Sequence, residues 1–241
     1  MNQTKRVMFF LGLSALGAVF LITVIFQAPE LPPAVPSEEK IVVAGLFVFL
    51  CILGALLALR PNWLKTRFLT EDKNKKNNIN EGKRGFRGHH PDCSVFDHHR
   101  IIWGKKTWCA GCLGLLGGCI ISLIIMIFYV LAPLKLSILG TRLLFFLGLL
   151  FIMIQYAENV FPRRHAGVHV ILNVLSILGF FLVTISVLEL SGDIVYGFYA
   201  ILLCGLWLET RIHLSQWRHS RLCHRCSQSC KVYATGIIFG R

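Results

Sequence analysis

Cys109-Ala110-Gly111-Cys112 and Cys223-His224-Arg225-Cys226 are two Cys-x-x-Cys pairs more than a hundred residues apart. Two thiolates at this spacing can share one tetrahedral ion, and a glycine between them lets the backbone curl around it. Together the pairs offer four thiolates, the complement of a closed structural zinc site. Further ligand-type residues crowd nearby in sequence. Cys93, His98 and His99 precede the first pair, with His89, His90, Asp92 and Asp97 beside them, while His219 and Cys230 flank the second. This is more than one ion requires, so a second site or a mixed Cys and His set fits the same residues. Zinc is favoured over an iron–sulfur cluster, because imidazole is plentiful and tetrahedral N/S sites select zinc. The competing chemistry for the tail thiols is palmitoylation beside a membrane.

The elements that must position these residues are membrane helices. Six apolar runs approach the ~20 residues a helix needs to cross ~30 Å of hydrocarbon. They are Val7 to Phe26, Ile41 to Leu59, Cys109 to Leu131, Ile138 to Tyr156, Val168 to Leu190, and Ile194 to about Leu208. Composition agrees: 55% hydrophobic and 15% charged residues, with a mean hydropathy of +0.63, do not suit a water-soluble domain. The expected fold is an all-α polytopic bundle of six transmembrane helices with a Cys/His-rich metal-binding segment. Val7 to Phe26 is longer than the apolar core of a signal peptide, and Gln27-Ala28-Pro29 is a poor cleavage context, so it is read as a span.

Basic residues orient the bundle. Of the 25 Lys and Arg, 22 fall on the side that holds both termini and the long second loop, 12 of them between Arg60 and Lys106. Lys40, Lys135 and Arg142 alone fall on the other side. The positive-inside rule then places the protein in the cell membrane as a multi-pass chain with both termini cytosolic. The net charge of +13 is accounted for by topology, with anionic lipid headgroups as its partner and no call for nucleic acid. All nine His and six of the nine Cys fall on that same reducing side, where thiols do not settle into structural disulfides.

The chain divides into a two-helix transmembrane hairpin (1–69), a charged linker (70–84) and a four-helix core with the Cys/His cluster (85–241). The linker, TEDKNKKNNINEGKR, has one aliphatic residue and cannot bury enough apolar surface to offset the entropy of ordering. Glu30 to Pro36, with three prolines, forms a stiff non-helical connection between the first two spans.

The run Cys93 to Gly114 (CSVFDHHRIIWGKKTWCAGCLG) resembles the signature of small polytopic membrane proteins grouped as domain of unknown function 2085. Cys93, Arg100, Gly104, Cys109, Cys112 and Gly114 match in order, with Ser94 where that family usually has His, and the similarity extends to about Leu190. It implies a four-helix core with a cytosolic Cys cluster that includes Cys93, and it implies no particular activity. Cys93, Asp97, His98 and His99 also resemble part of the Asp-His-His-Cys palmitoyltransferase motif. Arg100 stands where that family has its nucleophilic Cys, so acyl transfer by that route is excluded.

The remaining polar residues are weighed against packing. Cys51, Cys119 and Cys204 lie inside spans and read as small apolar residues, and Gly114, Gly117 and Gly118 read as a close helix contact. Arg163 and Arg164 read as snorkelling interfacial residues. His165 and His169, one turn apart, can face the same ion, lipid phosphate or proton path. His169 and His213 as haem ligands are disfavoured because both lie near one boundary. Gln155 and Asn173 are the polar candidates within spans, and the lack of charge at mid-membrane disfavours a transporter. Two readings follow: a structural or interaction subunit, possessing a zinc site and a membrane-complex partner, or a metal-dependent enzyme using Asp97 with His98 or His99 at an open coordination position.

Overall fold

The computed structural model describes residues 3–30, 34–59, 86–87, 100–103, 106–132, 137–161 and 165–224. Six helices are each long and apolar enough to cross a membrane. They are α1 (Gln3–Gln27), α2 (Ser37–Leu59), α3 (Ala110–Leu131), α4 (Ile138–Val160), α5 (Ala166–Ser191) and α6 (Ile194–His224). Trp217 of α6 reaches Thr4 of α1, and Arg211 of α6 lies against Gly111 of α3, so the starts of α1 and α3 and the later turns of α6 share one end of the bundle, called here the termini end.

Local chemistry sets several boundaries. Glu38 and Glu39 occupy the first turn of α2, where the helix dipole favours negative charge. Ser137 caps α4 by accepting a hydrogen bond from the Gly140 N–H at 3.1 Å. Gly192 ends α5 at φ 65°, a left-handed conformation that suits glycine. Asp193 then opens α6, its Oδ1 accepting from the Val195 N–H at 2.8 Å.

α5 is the hub: 61% of its apolar window is buried, against 22–39% for the other five. It packs most extensively on α4 and α3 and also touches α6 and α1. α1 lies chiefly on α6 and α2 chiefly on α3, so the first two helices each dock onto the later four. Residues of all six join one core that includes Leu21, Phe47, Met126, Phe145, Val187 and Trp207.

Glycines bring the hub close to its neighbours. A Cβ on Gly114 would lie 2.6 Å from the Val170 carbonyl oxygen and from Asn173 Cβ, and one on Gly118 would lie 2.9 Å from Ile177 Cβ. α4 and α5 cross at a reciprocal pair, where a Cβ on Gly148 would lie 2.8 Å from the Gly179 carbonyl oxygen and one on Gly179 would lie 2.7 Å from the Gly148 carbonyl oxygen. In lipid, where apolar burial gives little advantage, such close backbone approach supplies the packing that holds helices together.

Two features depart from the sequence expectation. A small three-stranded sheet, ordered β1-β3-β2, precedes α3, where the sequence suggested only helices and loop. Its strands are β1 (Phe86–Arg87), β2 (Arg100–Trp103) and β3 (Lys106–Cys109). Ile101, Ile102, Trp103, Thr107 and Trp108 are β-branched or aromatic, and two residues beginning with Gly104 separate β2 from β3, as in hairpins. The second departure is α6, which runs to His224 instead of ending near Leu208. Its later turns lean on α1, through Ser14 Oγ and Thr210 Oγ1 at 2.7 Å and through Trp217 Nε1 donating to Thr4 Oγ1 at 3.4 Å.

The Gly148 and Gly179 crossing has a direct test. Gly148→Ala is expected to destabilise the detergent-solubilised protein by about 1–3 kcal/mol, because the new methyl meets backbone. Gly12→Ala, whose Cβ would meet nothing within 4 Å, is expected to melt like the parent in the same thermal scan.

Candidate functional site

Cys109 ends β3 and is the N-cap residue of α3, but its side chain makes no capping hydrogen bond. The sulfur is therefore not spent on the helix terminus. Cys112, one turn into α3, is in hydrogen-bonding contact with it, so the sheet and helix together hold the two thiols side by side. Cys109 is buried, Cys112 is partly exposed, and neither is in a disulfide. Arg100 pairs with Cys109 across the β2–β3 ladder.

Beneath the thiols lies a buried ion-pairing group. Glu158 near the end of α4 and His169 near the start of α5 are both buried, with His169 Nδ1 and Glu158 Oε2 2.9 Å apart. When the carboxylate accepts the Nδ1–H, the Nε2 lone pair points away from it. Gly111 marks where it points: a Cβ built there would lie 3.6 Å from His169 Nε2, 3.7 Å from Arg211 Nη2 and 3.7 Å from Cys109 Sγ. Imidazole, guanidinium and thiol thus converge on the one residue of the Cys-x-x-Cys turn that has no side chain. The Arg211 guanidinium interacts electrostatically with Cys112, Cys109 and Glu158, placing a positive charge against the thiol pair.

The other residues singled out from sequence distribute as follows. Cys93, His98, His99, Cys226 and Cys230 lie outside the described residues, as do Asp97, Arg163 and Arg164. Cys223 belongs to the last turn of α6, with its side chain outside them. His165 and His169 do not face one point: His165 is exposed and His169 buried, since the helix begins between them. His169 and His213 have separate surroundings, His213 being 3.2 Å from Glu209 and tilted against the Phe10 ring with centroids 4.4 Å apart. Cys51 and Cys119 touch across α2 and α3, and Cys204 Sγ donates weakly to the Phe180 carbonyl, all three buried as packing residues.

Among the described residues, no three His, Cys, Asp or Glu side chains are grouped so as to hold a metal ion. The described donors are two adjacent thiols with an oriented imidazole beyond them, fewer than the four ligands of a closed zinc site. Glu158 and Arg211 were legible in sequence only as charges at helix ends. The available signal was spacing, since Gln155 and Glu158, and likewise His169 and Asn173, fall on single helix faces.

No family model, curated protein or solved structure matches the chain. The resemblance across Cys93 to Gly114 therefore rests on those residues themselves.

Removing the carboxylate tests the buried pair. Glu158→Ala is expected to lower stability by about 1–3 kcal/mol, since it strands a buried imidazole. Glu158→Gln should recover part of that loss in detergent melting curves, and His165→Ala should leave the melt unchanged.

Proposed function

We propose that this chain is a multi-pass protein of the cell membrane, both termini in the cytosol, whose Cys-rich zinc site clips helix ends together. In this reading it serves as a structural or interaction subunit, with anionic lipid headgroups around it and a membrane-complex protein as its partner. Cys109 and Cys112 supply one half of the site. Cys223 and Cys226 supply the other, with Cys93, His98, His99 and Cys230 completing or bordering it. The observation that carries the reading is the contact of Cys109 with Cys112 at the β3–α3 junction, neither sulfur being used as a cap or in a disulfide.

Arg211 on α6 reaches the first thiol pair, and Cys223 lies twelve residues, ~18 Å of helix, farther along, so in this reading the tail after α6 returns to the thiols to complete the site. A tetrahedral ion there would tie the tail to the core, and the Arg211 charge would offset part of the negative charge of a four-thiolate site. Bound zinc would supply folding energy and no reactive position.

A metal-dependent membrane enzyme using Asp97 with His98 or His99 is the second reading. The observation in its favour concerns a different imidazole: His169, oriented by Glu158 beside the thiols, has an arrangement that general bases use. Coordination separates the two, because four protein ligands imply scaffolding and three with water imply chemistry.

Elemental analysis of protein purified without a metal-affinity tag is expected to find zinc equimolar with the chain. Cys109→Ser and Cys223→Ser should each lose the zinc and lower the melting temperature. Metal-free protein from reducing buffers would overturn the reading, and iron with labile sulfide would replace it with electron transfer.

A further inference from the structure

Below the Glu158 and His169 pair, the bundle buries polar groups that its helices do not use. Gln155 is fully buried, and neither its Nε2 nor its Oε1 has a hydrogen-bond partner among the described residues. Asn173 spends its Nδ2 on the His169 carbonyl at 2.5 Å, which leaves its buried Oδ1 equally unpartnered.

Helix register brings the two amides to one place. Gln155 lies one turn from Glu158 on α4, and Asn173 lies one turn from His169 on α5. Glu158 meets His169 on one side of them, and on the other Ile152 packs 3.1 Å from the Cβ position of Gly179. Antiparallel helices that meet at both levels face each other between, so Gln155 is level with the Asn173 turn. Farther in, α4 and α5 approach closely at Gly148 and Gly179, so the two amides lie between that crossing and the Glu158 and His169 pair.

The unmet groups define their ligand. Two carbonyl oxygens need donors and the Gln155 NH2 group needs acceptors. A cation would serve the oxygens but face the N–H and the nearby Arg211 guanidinium. An anion would serve the N–H and face the oxygens and Glu158. Only a neutral group that both donates and accepts meets all three, and buried polar amides in a bilayer are too costly to leave unmet.

We propose that Gln155 and Asn173 line a binding site for a neutral hydrogen-bonding ligand: ordered water, or the hydroxyl or amide of a small polar solute. The site uses neither thiol and stands apart from the zinc reading. Water is suited because one molecule bridges about three buried groups.

Radiolytic hydroxyl-radical labelling of the whole protein in nanodiscs, read by mass spectrometry, tests this beside native mass spectrometry and melting of Gln155→Leu. Labelling of Ile152 and Ile177 severalfold above the buried residues Leu21 and Phe145, without a retained adduct, identifies water. A retained small-molecule adduct that is lost in Gln155→Leu identifies a solute. In either case Gln155→Leu melts lower than the parent. Ile152 and Ile177 labelled no more than those controls, with no adduct, overturns the proposal whether or not the variant folds; a Gln155→Leu protein that melts higher than the parent overturns it as well.

Discussion

Everything in this bundle depends on how closely α5 approaches α3 and α4. Inside a bilayer, lipid tails are as apolar as leucine, so helices adhere through packing and hydrogen bonds. Glycines at 114, 118, 148 and 179 bring backbone to within van der Waals contact of side chain or carbonyl. That approach makes α5 the most buried helix of the six. It also decides where polar residues can be tolerated, since a group on the buried faces of α4 and α5 is shielded from lipid.

The polar residues of the termini end occupy that shelter in order. The thiol pair lies at the β3–α3 junction, Arg211 and His169 meet beneath Gly111, and Glu158 backs His169. Gln155 and Asn173 follow one turn deeper. At the opposite end α5 carries Glu189, which accepts from the Tyr129 hydroxyl and pairs with Lys40 Nζ at 2.6 Å. The hub thus has an anchored charge at one end and a graded polar cluster at the other. Between Ser176 and Thr184 its buried face presents Ile177, Phe180 and Phe181, an apolar barrier of about two helical turns. The two polar ends are therefore separate, and among the described residues no continuous polar track runs along this helix.

The helices were legible from sequence because hydropathy reports the cost of exposing backbone to lipid, which admits few structures. Starts and ends of the first five fall within a few residues of the apolar runs. α6 escaped this reading because its turns beyond Leu208 make contacts to α1, Ser14 with Thr210 and Thr4 with Trp217, which no local pattern encodes. The Cys-x-x-Cys pair and the close-packing glycines were legible as short-range patterns. The Glu158 and His169 pair was not, because it joins two helices through a connection whose geometry sequence does not state. Gln155 read as a residue near a helix end, and only packing against α5 shows it to be fully buried.

Charge balance explains why the cluster can exist at all. A buried carboxylate next to hydrocarbon is stable only with a partner, and Glu158 has His169 in contact and Arg211 and Arg218 in electrostatic reach. Arg211 is shared, since it also faces Cys109 and Cys112. Arg211 on α6 thus stands in electrostatic reach of both the thiol pair and the carboxylate beneath it, and its one positive charge is shared between them.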